Sequence, residues 1–364
     1  MLSSLAEAGA RGVPIRVLIV DDSALIRRVL TDIISRQPDM TVVGAAHDAI
    51  AARDLIKSLN PDVLTLDIEM PHMSGLEFLE KLMHLRPMPV IMVSTLTREG
   101  SEAALRALEL GAVDFVAKPM LDVASGMEQY ADEIVAKLRM AARVSRRRAR
   151  EPIPSTPLPA FAGRGAASDA IIVIGASTGG TEALRSILQR LPHDAPPVLV
   201  TQHMPPGYTH TFAARLDKVC PMIVAEAVDG TPLRQGHVYI ARGGTHLEVV
   251  RRGAGHVLAI THGEPVNRHK PSVDVLFASA AREIGSRVIA VILTGMGKDG
   301  AHGMLAIRDA GGETIAQDEA TSVVFGMPRE AIALGGVAEV LPLPAIPARI
   351  VAIAATAGRV SATS

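Results

Sequence analysis

Short aliphatic runs alternate with amphipathic segments along most of this 364-residue chain, and this alternation restricts the possible folds more than any other feature. The segment Ala170–Ala176, for example, contains no polar side chain, which is typical of a strand buried on both faces. Parallel strands need crossovers between them, so alternating strand and helix patterns predict a doubly wound α/β architecture. The length is sufficient for two such domains.

The N-terminal part contains five strand patterns, each followed by a helix pattern. The predicted strands are Ile15–Val20, Thr41–Ala45, Asp62–Asp67, Val90–Ser94 and Asp114–Ala117. The predicted helices are Ala24–Arg36, Asp48–Leu59, Gly75–Leu85 and Glu102–Leu110, with a fifth from about Met127. Together these patterns predict a five-stranded doubly wound domain.

The C-terminal part repeats the alternation with one interruption. The predicted strands are Ala170–Ala176, Pro197–Gln202, Ile223–Val228, His237–Ala241, His246–Arg251, Val257–Thr261, Val288–Thr294, Glu313–Ala316 and Val337–Leu341. The predicted helices are Thr181–Arg190, His210–Leu216, Val273–Ile284, Ala301–Ala310, Arg329–Leu334 and one near the C-terminus. Between about 237 and 261 the strands follow one another through glycine-containing turns, which indicates hairpins. We therefore expect a second doubly wound α/β domain that carries an antiparallel hairpin insertion.

A change of composition separates the two parts. Six arginines between residues 139 and 150 precede the segment EPIPSTPLPAFAGRGAAS, whose proline, glycine, alanine and serine content is typical of an exposed linker. The arginines could bind an acidic partner, but the solvated end of a helix, where cations interact favourably with the dipole, is the simpler interpretation. We predict domains at 14–122 and 169–357, joined by a helix end and linker at 123–168.

Composition excludes several classes of protein. A net charge of −1 gives no electrostatic basis for binding nucleic acid or an anionic membrane. The single cysteine, Cys220, cannot form an intramolecular disulfide and fits a reducing compartment. The N-terminus lacks a signal-peptide pattern, and no apolar run approaches the ~20 residues needed to span a bilayer. We therefore expect a cytoplasmic protein with no membrane insertion and no nucleic-acid partner.

Acidic side chains stand at the ends of two predicted strands in the N-terminal domain. Asp21 and Asp22 follow the first strand, and Asp67 ends the third. Ligands of open α/β sheets bind beyond the carboxyl ends of the strands, so these carboxylates should converge. Mg²⁺ prefers such oxygen ligands, and Lys118, after the fifth strand, can balance the charge of a phosphoryl group. The sequence therefore predicts a site for Mg²⁺ and a phosphoryl group.

Residues 14–122 resemble the response-regulator receiver family in these carboxylates, in the hydroxyl residue that ends the fourth strand and in the Lys-Pro pair after the fifth. The resemblance implies that Asp67 accepts a phosphoryl group from a histidine kinase. It also implies that Mg²⁺ is bound by Asp21, Asp22, Asp67 and the backbone carbonyl of Glu69. The residues that would contact the phosphoryl group or reorient with it are Ser94, Lys118 and Phe115.

The strand Ala170–Ala176 runs into the sequence GASTGG, which fits the G-x-S-x-G turn that presents a serine hydroxyl between a strand and a helix. A glycine-rich turn could instead bind a dinucleotide, but that alternative predicts an acidic residue at the end of the next strand. The next strand ends in Gln202 and His203, which disfavours the dinucleotide interpretation. Ser177 is therefore the predicted nucleophile and His203 its general base.

A serine and histidine pair needs an acid that orients the imidazole. The predicted strand Val288–Thr294 leads into GMGKDG, which places Asp299 at a strand–helix junction on the same rim. The order Ser177, His203, Asp299 differs from the serine–acid–histidine order of α/β-hydrolases. The competing bases that the residues alone leave open are His210, His246, His269 and His302.

The chain as a whole resembles the chemotaxis protein-glutamate methylesterase/protein-glutamine glutaminase family. Besides GASTGG, the resemblance rests on QHMP, PSVDVLF, TGMGKDG and QDEATSVVFGMP, while Arg242 stands where a proline is expected. It implies a Ser-His-Asp triad that hydrolyses glutamate γ-methyl esters on the cytoplasmic helices of chemoreceptors and deamidates selected glutamines, without a cofactor for hydrolysis. The oxyanion needs preorganised donors, and backbone N–H groups near Thr178 and Met296 are the candidates.

A receiver joined to an esterase suggests that one domain controls the other. The hypothesis is that the unphosphorylated receiver covers the approach to Ser177, and that phosphorylation shifts Ser94 and Phe115 and weakens this packing. Two rival classes are a DNA-binding response regulator and a nicotinamide-dependent oxidoreductase. The first needs a compact helical reader with a basic recognition helix, and the second needs an acidic ribose-binding residue; the sequence contains neither pattern.

Overall fold

A computed structural model describes residues 13–95, 97–118, 124–143, 158 and 170–360. The chain divides into two compact units, Met1–Ala149 and Arg150–Ser364. Most of the predicted linker, including its Pro-rich segment and the last four of the six arginines, lies outside the described residues apart from Leu158. None of the described helices combines the length and the apolar composition needed to cross a membrane.

The described part of the N-terminal unit is a five-stranded parallel sheet with the strand order β2-β1-β3-β4-β5 and five helices. This confirms the predicted doubly wound domain. Its strands are β1 (Ile15–Val20), β2 (Met40–Ala46), β3 (Val63–Asp67), β4 (Val90–Ser94) and β5 (Asp114–Ala117). Its helices are α1 (Ala24–Ser35), α2 (Ala49–Leu59), α3 (Gly75–Leu85), α4 (Arg98–Glu109) and α5 (Ala124–Arg143).

Two elements of this unit differ from the sequence-based prediction. Helix α4 begins at Arg98 rather than Glu102, because the hydroxyl of Thr97 accepts a hydrogen bond from the backbone N–H of Gly100 and caps the helix. Helix α5 packs into the core that β1 and α1 also line, since Ile134 and Leu138 are completely buried there. The core of this unit therefore includes residues of α5, which lies in the segment 123–168.

The C-terminal unit contains a seven-stranded parallel sheet with the order β14-β13-β12-β6-β7-β9-β8 and a separate β10-β11 hairpin. Its strands are β6 (Ile171–Ala176), β7 (Val198–Gln202), β8 (Ile223–Glu226), β9 (His237–Ile240), β10 (His246–Arg252), β11 (Gly255–Thr261), β12 (Val288–Ile292), β13 (Glu313–Gln317) and β14 (Glu339–Leu341). Its α-helices are α6 (Gly180–Leu188), α7 (Tyr208–Asp217), α8 (Val273–Ile284), α9 (Ala301–Asp309), α10 (Met327–Ala333) and α11 (Ile346–Val360).

The hairpin is confirmed, but it is smaller than the glycine-containing turns between 237 and 261 indicate. Of the three described strands between 237 and 261, only β10 and β11 pair antiparallel with each other, whereas β9 pairs parallel with β7 and β8 inside the main sheet. Three of the four residues of β9 are buried, as expected for a strand covered on both faces. A short separation in sequence does not show whether a strand belongs to the main sheet or to the hairpin. Strands β8 and β9, for example, follow each other without an intervening helix, yet both belong to the main sheet.

Candidate catalytic and phosphorylation sites

Ser177 lies in the tight turn between β6 and α6, as predicted. Its backbone N–H donates to the carbonyl of Thr294 at 3.1 Å, and its own carbonyl accepts from Gly180 at 2.7 Å. Gly179 has φ +75°, and a Cβ atom at position 180 would lie 2.2 Å from Oε1 of Gln202. The positive φ at 179 and the close neighbours at 180 therefore favour glycine at both positions.

Parallel pairing brings His203 to the end of the strand next to Ser177. In the sheet Ala176 pairs with Gln202, and the N–H of His203 donates to the carbonyl of Ala176 at 3.1 Å. The side-chain amide of Gln202 then donates to the carbonyl of Ser177 at 2.9 Å. The two candidate residues therefore leave adjacent strands at the same carboxyl edge.

Asp299 follows β12, which pairs with β6 on the side opposite to β7. Its Oδ2 lies 2.8 Å from Nε2 of His203, and the two side chains are 0% and 8% exposed. The other ring nitrogen of His203, Nδ1, is buried and has no hydrogen-bond partner among the described residues. The structure thus brings His203 and Asp299 together, with Ser177 on the neighbouring strand end but not hydrogen-bonded to the imidazole.

The carboxylate of Asp299 also caps helix α8. It accepts hydrogen bonds from the backbone N–H groups of Val273 at 2.6 Å and Asp274 at 3.3 Å, and from the hydroxyl of Ser272 at 2.8 Å. Burial by itself would raise the pKa of Asp299, but the donors around it, His203 first among them, lower that pKa below its ordinary value. Asp299 is therefore held as a carboxylate that faces the histidine.

A four-residue turn, Val266 to His269, supplies two further contacts that the residue pattern did not predict; we call it the 266–269 turn. The amide of Asn267 donates to Oδ1 of Asp299 and to Oδ2 of Asp274, both at 2.8 Å. The ring of His269 stacks on the ring of His203, with 3.6 Å between centroids and 9° between planes. The motif PSVDVLF, which follows this turn in the sequence, indicated that the region belongs to the family pattern, but no role could be assigned to it from sequence.

The other competing histidines occupy different environments. His246 is buried, and its ring nitrogens contact the carbonyl of Glu264 at 3.0 Å and the N–H of Ser272 at 3.2 Å. His210 on α7 and His302 on α9 are exposed. Among the described residues, none of these three is hydrogen-bonded to Ser177 or Asp299, so His203 remains the geometrically favoured base.

The two predicted oxyanion residues lie on either side of Ser177. Thr178 is buried, and its carbonyl accepts from the hydroxyl of Thr294 at 3.0 Å. A Cβ atom at Gly295 would lie 2.8 Å from Cβ of Ser177, so the backbone that leads into Met296 packs directly against the serine. Both segments are thus close enough to Ser177 for their backbone N–H groups to be considered as donors.

Among the residues that the structure describes, two groups of side chains have donor atoms that lie within 4.8 Å of one another, as a metal site requires. The first, made of His203, His269 and Asp299, is poorly suited to a metal. Its parallel stacked rings direct their in-plane lone pairs side by side, and its carboxylate already accepts several hydrogen bonds. The second group is Asp21, Asp22 and Asp67.

The negative charge of the three aspartates in the second group is only partly balanced by the nearby lysine. Nζ of Lys118 lies 2.7 Å from Asp67 and 3.6 Å from Asp21, yet Oδ2 of Asp21 is buried without a hydrogen-bond partner among the described residues. Burial raises the pKa of Asp67 to about 6, assisted by the charge of Asp21 and opposed by Lys118. A divalent cation with a preference for oxygen ligands fits this donor set.

The remaining predicted receiver residues surround this pocket. Ser94 is fully buried, and its hydroxyl donates to the carbonyl of Gly100 at 2.9 Å. Phe115 is buried on β5, with Nζ of Lys137 5.5 Å from the centre of its ring. The backbone N–H of Glu69 donates to Oδ1 of Asp67 at 3.3 Å. Because the Ser94 hydroxyl donates to the carbonyl of Gly100, it has to leave that carbonyl before it can bind a phosphoryl oxygen.

The substitution Asp67→Asn is expected to stabilise the N-terminal unit at neutral pH without Mg²⁺, by about 1–2 kcal/mol. Because the folded pKa of Asp67 is raised to about 6, its ionisation costs folding free energy above that pH, and the cost disappears as the pH falls toward about 4. Urea unfolding of the intact chain across this pH range measures the difference.

Mg²⁺ should raise the stability of wild type and leave Asp67→Asn nearly unchanged. The exposed carboxyl of Asp54 on α2 provides the matched control, so Asp54→Asn should retain the full response to Mg²⁺. An equal Mg²⁺ response in all three proteins would contradict the assignment of a cation to this pocket.

Comparison with known proteins assigns a family to each part of the chain. The chain matches the family model described as CheB methylesterase over residues 172–350 and the response regulator receiver domain over residues 17–127. A protein-glutamate methylesterase/protein-glutamine glutaminase of Thiobacillus denitrificans is 58% identical over 349 residues, which are 94% of this chain and 98% of that protein. The protein of the same name from Salmonella typhimurium is 57% identical over 93% of this chain and 96% of its own length.

Among solved structures, the catalytic domain of the Thermotoga maritima CheB methylesterase is 42% identical and superimposes with a TM-score of 0.50. The match covers 50% of this chain and 98% of that domain. These similarities extend over both units and confirm the resemblance that the motifs indicate. The chain belongs to the protein-glutamate methylesterase/protein-glutamine glutaminase family of response regulators.

Proposed function

We propose that this protein removes methyl groups from glutamate γ-methyl esters of chemoreceptors and deamidates specific receptor glutamines, giving adaptation in chemotaxis-like signalling. The names of relatives at 57–58% identity over nearly the whole chain support this activity. The structural observation that carries the proposal is the buried His203–Asp299 hydrogen bond at 2.8 Å, located beside the turn that presents Ser177. This arrangement suits acyl transfer by a serine nucleophile.

In the proposed reaction, Ser177 attacks the side-chain carbonyl of the substrate while Nδ1 of His203 takes the hydroxyl proton. Nδ1 is the available nitrogen because Nε2 is bonded to Asp299. His203 then protonates the departing methanol or ammonia, and water hydrolyses the acyl-enzyme with the same histidine as base. The Ser177–His203 hydrogen bond is not formed in this structure, and such bonds often tighten only when substrate binds.

The tetrahedral intermediate carries an oxyanion, for which we propose backbone N–H donors near Thr178 and Met296. These segments flank Ser177, and the N-terminus of α6 directly behind the serine adds a favourable field. The proposed hydrolysis uses no cofactor, because the serine, the histidine and the carboxylate together supply the nucleophile, the base and its orienting acid.

The direct test is to incubate the intact protein with a methylated receptor fragment and to measure released methanol, released ammonia and the mass of the modified peptides. We expect methanol from glutamate methyl esters and ammonia from selected glutamines. If the protein cleaves a simple activated ester but releases neither product from receptor, the proposed substrate is wrong. If it cleaves no ester at all, the proposed hydrolase chemistry is wrong.

For the N-terminal domain we propose phosphorylation of Asp67 by the histidine kinase of a chemotaxis-like system. Bound Mg²⁺ would neutralise the charge of the carboxylates and of the incoming phosphoryl group. Asp21, Asp22, Asp67 and the carbonyl of Glu69 would hold it. The hydroxyl of Ser94 and the ammonium of Lys118 would bind phosphoryl oxygens, and Phe115 would reorient as Ser94 leaves the carbonyl of Gly100.

We further propose that this phosphorylation controls the esterase, with a receiver at 14–122, a helix end and linker at 123–168 and a catalytic domain at 169–357. The unphosphorylated receiver would restrict the approach to Ser177. A small-molecule phosphodonor with Mg²⁺ should therefore raise the esterase activity of the intact chain several-fold and leave Asp67→Ala unchanged.

Residues 165–364 alone should be active without a phosphodonor, because the restricting domain is missing. Esterase rates of the intact chain, of Asp67→Ala and of this fragment, each with and without phosphodonor, measure the effect. Equal rates in all six reactions would show that the receiver does not inhibit the esterase.

A further inference from the structure

We infer that His269 is a positioning residue of the esterase: its stacked ring fixes the plane of the His203 imidazole and, with it, the direction of Nδ1, the nitrogen proposed to take the proton of Ser177. This inference rests on the proposed function, since it concerns the same histidine. It assigns to the 266–269 turn the task of holding both the general base and the acid that orients it.

A single hydrogen bond does not fix an imidazole. The bond from Nε2 of His203 to Asp299 anchors one edge of the ring, but the ring can still tilt about that contact. The ring of His269 lies against its face at 3.6 Å and within 9° of parallel, which blocks this tilt on one side. The remaining nitrogen, Nδ1, therefore keeps one direction.

The turn that carries His269 is itself fixed by hydrogen bonds. The backbone groups of Val266 and His269 pair in both directions, at 3.1 and 2.9 Å. Asn267 and Arg268 between them both have positive φ values, of 51° and 68°, as a tight two-residue turn requires. From the tip of the turn Asn267 donates to Asp299. One short segment therefore contacts two members of the proposed triad.

The geometry favours positioning over direct proton transfer by His269. Its ring presents a face, not an edge, to His203, and ring faces neither donate nor accept the proton in general base catalysis. A flat apolar ring at position 269 should therefore replace the histidine, whereas a side chain without a ring should not. This difference separates a positioning residue from a second base.

The experiment compares His269→Ala with His269→Phe in the intact protein, using both methylated receptor and a simple activated ester. His269→Ala should lower kcat by about 10- to 100-fold with KM changed less than about twofold, because misplacement of a catalytic group slows the chemical step. His269→Phe should retain kcat within about threefold of wild type. The exposed histidine of α7 provides the matched control, and His210→Ala should behave as wild type.

A second measurement does not depend on turnover. The hydrogen-bonded Nε2–H proton of His203 should give a downfield NMR signal that persists in wild type and His269→Phe and is broadened by solvent exchange in His269→Ala. Wild-type kcat together with an unchanged signal in His269→Ala would overturn the inference. So would inactivity of His269→Phe with its NMR signal intact, since that result would assign proton transfer to His269.

Failure of the proposed function gives a different pattern. In that case the activated ester, or the NMR signal alone, still reports the effect of His269, while the methylated receptor remains unmodified by wild type. The two conclusions can therefore be judged separately.

Discussion

Ser177→Ala is expected to lower the rate of methanol release by about three to six orders of magnitude while the protein stays folded. The large effect follows from the proposed mechanism, because the hydroxyl is the atom that forms the acyl-enzyme. The substitution should leave stability nearly unchanged, since Ser177 is held in its turn through backbone groups, with its N–H bonded to Thr294 and its carbonyl to Gly180. Methanol release and thermal unfolding measure the two effects.

Ser186 on α6 provides the matched control for this substitution. Its hydroxyl is buried without a hydrogen-bond partner in the described part of the chain, so Ser186→Ala removes no bond and should retain wild-type activity. A Ser177→Ala variant that still forms methanol at a tenth of the wild-type rate would rule out Ser177 as the nucleophile. Loss of activity in both variants would point to disturbance of the turn.

Asp299→Asn is expected to lower kcat by about 10⁴-fold, as loss of the orienting acid does in other serine hydrolases. An amide at this position presents an N–H group toward donors that now face carboxylate oxygens, among them Nε2 of His203 at 2.8 Å and the N–H of Val273 at 2.6 Å. His203 would then lose the hydrogen bond that keeps the proton on Nε2. Nδ1 would no longer be held unprotonated, as it must be to accept the serine proton.

The same substitution should also lower the free energy of unfolding by about 2–4 kcal/mol at neutral pH, because several charge-assisted hydrogen bonds are lost. The pKa of Asp299 is depressed in the folded protein. Its stabilisation is therefore fully present above the ordinary pKa of an aspartyl group and is lost as the pH falls toward the folded value. The difference between wild type and Asp299→Asn should accordingly shrink in strong acid.

Asp309, an exposed aspartate at the end of α9, provides the comparison for this second prediction. Asp309→Asn should change neither kcat nor stability appreciably, because it removes one solvated charge and no buried contact. Urea unfolding over a range of pH values and steady-state kinetics test both variants. Full activity in Asp299→Asn would exclude this carboxylate from the mechanism.

The strand ends of both domains could be predicted from sequence because a buried parallel strand has a local signature. Aliphatic runs locate the strands, and the residues that follow them, such as Asp67, Ser177 and His203, must then lie at a carboxyl edge. This reasoning needs no knowledge of the order of strands within the sheet. It places the candidate residues on a rim, without giving their mutual distances.

Contacts between distant segments could not be predicted in this way. The bond between His203 and Asp299 joins residues 96 positions apart, and it depends on β6 lying between β7 and β12. The stacking of His269 depends on a turn with two positive φ values, and its sequence, Asn-Arg, lacks the glycine that usually signals such a turn. Strand β9 was predicted as a strand but not as part of the main sheet. The hydrophobic pattern of a strand locates the strand in the sequence but does not show which other strands it pairs with.

The carboxylate of Asp299 caps the N-terminus of helix α8 and is also the acid that we assign to the triad. A substitution at position 299 should therefore affect both folding and catalysis. In a survey of random variants expressed in cells, changes at 299 should reduce both the amount of intact protein and the activity per molecule. Changes at 177 should leave the amount at its normal level. A lineage that abandoned the chemistry could therefore lose the serine freely, but would keep the aspartate or rebuild the start of the helix.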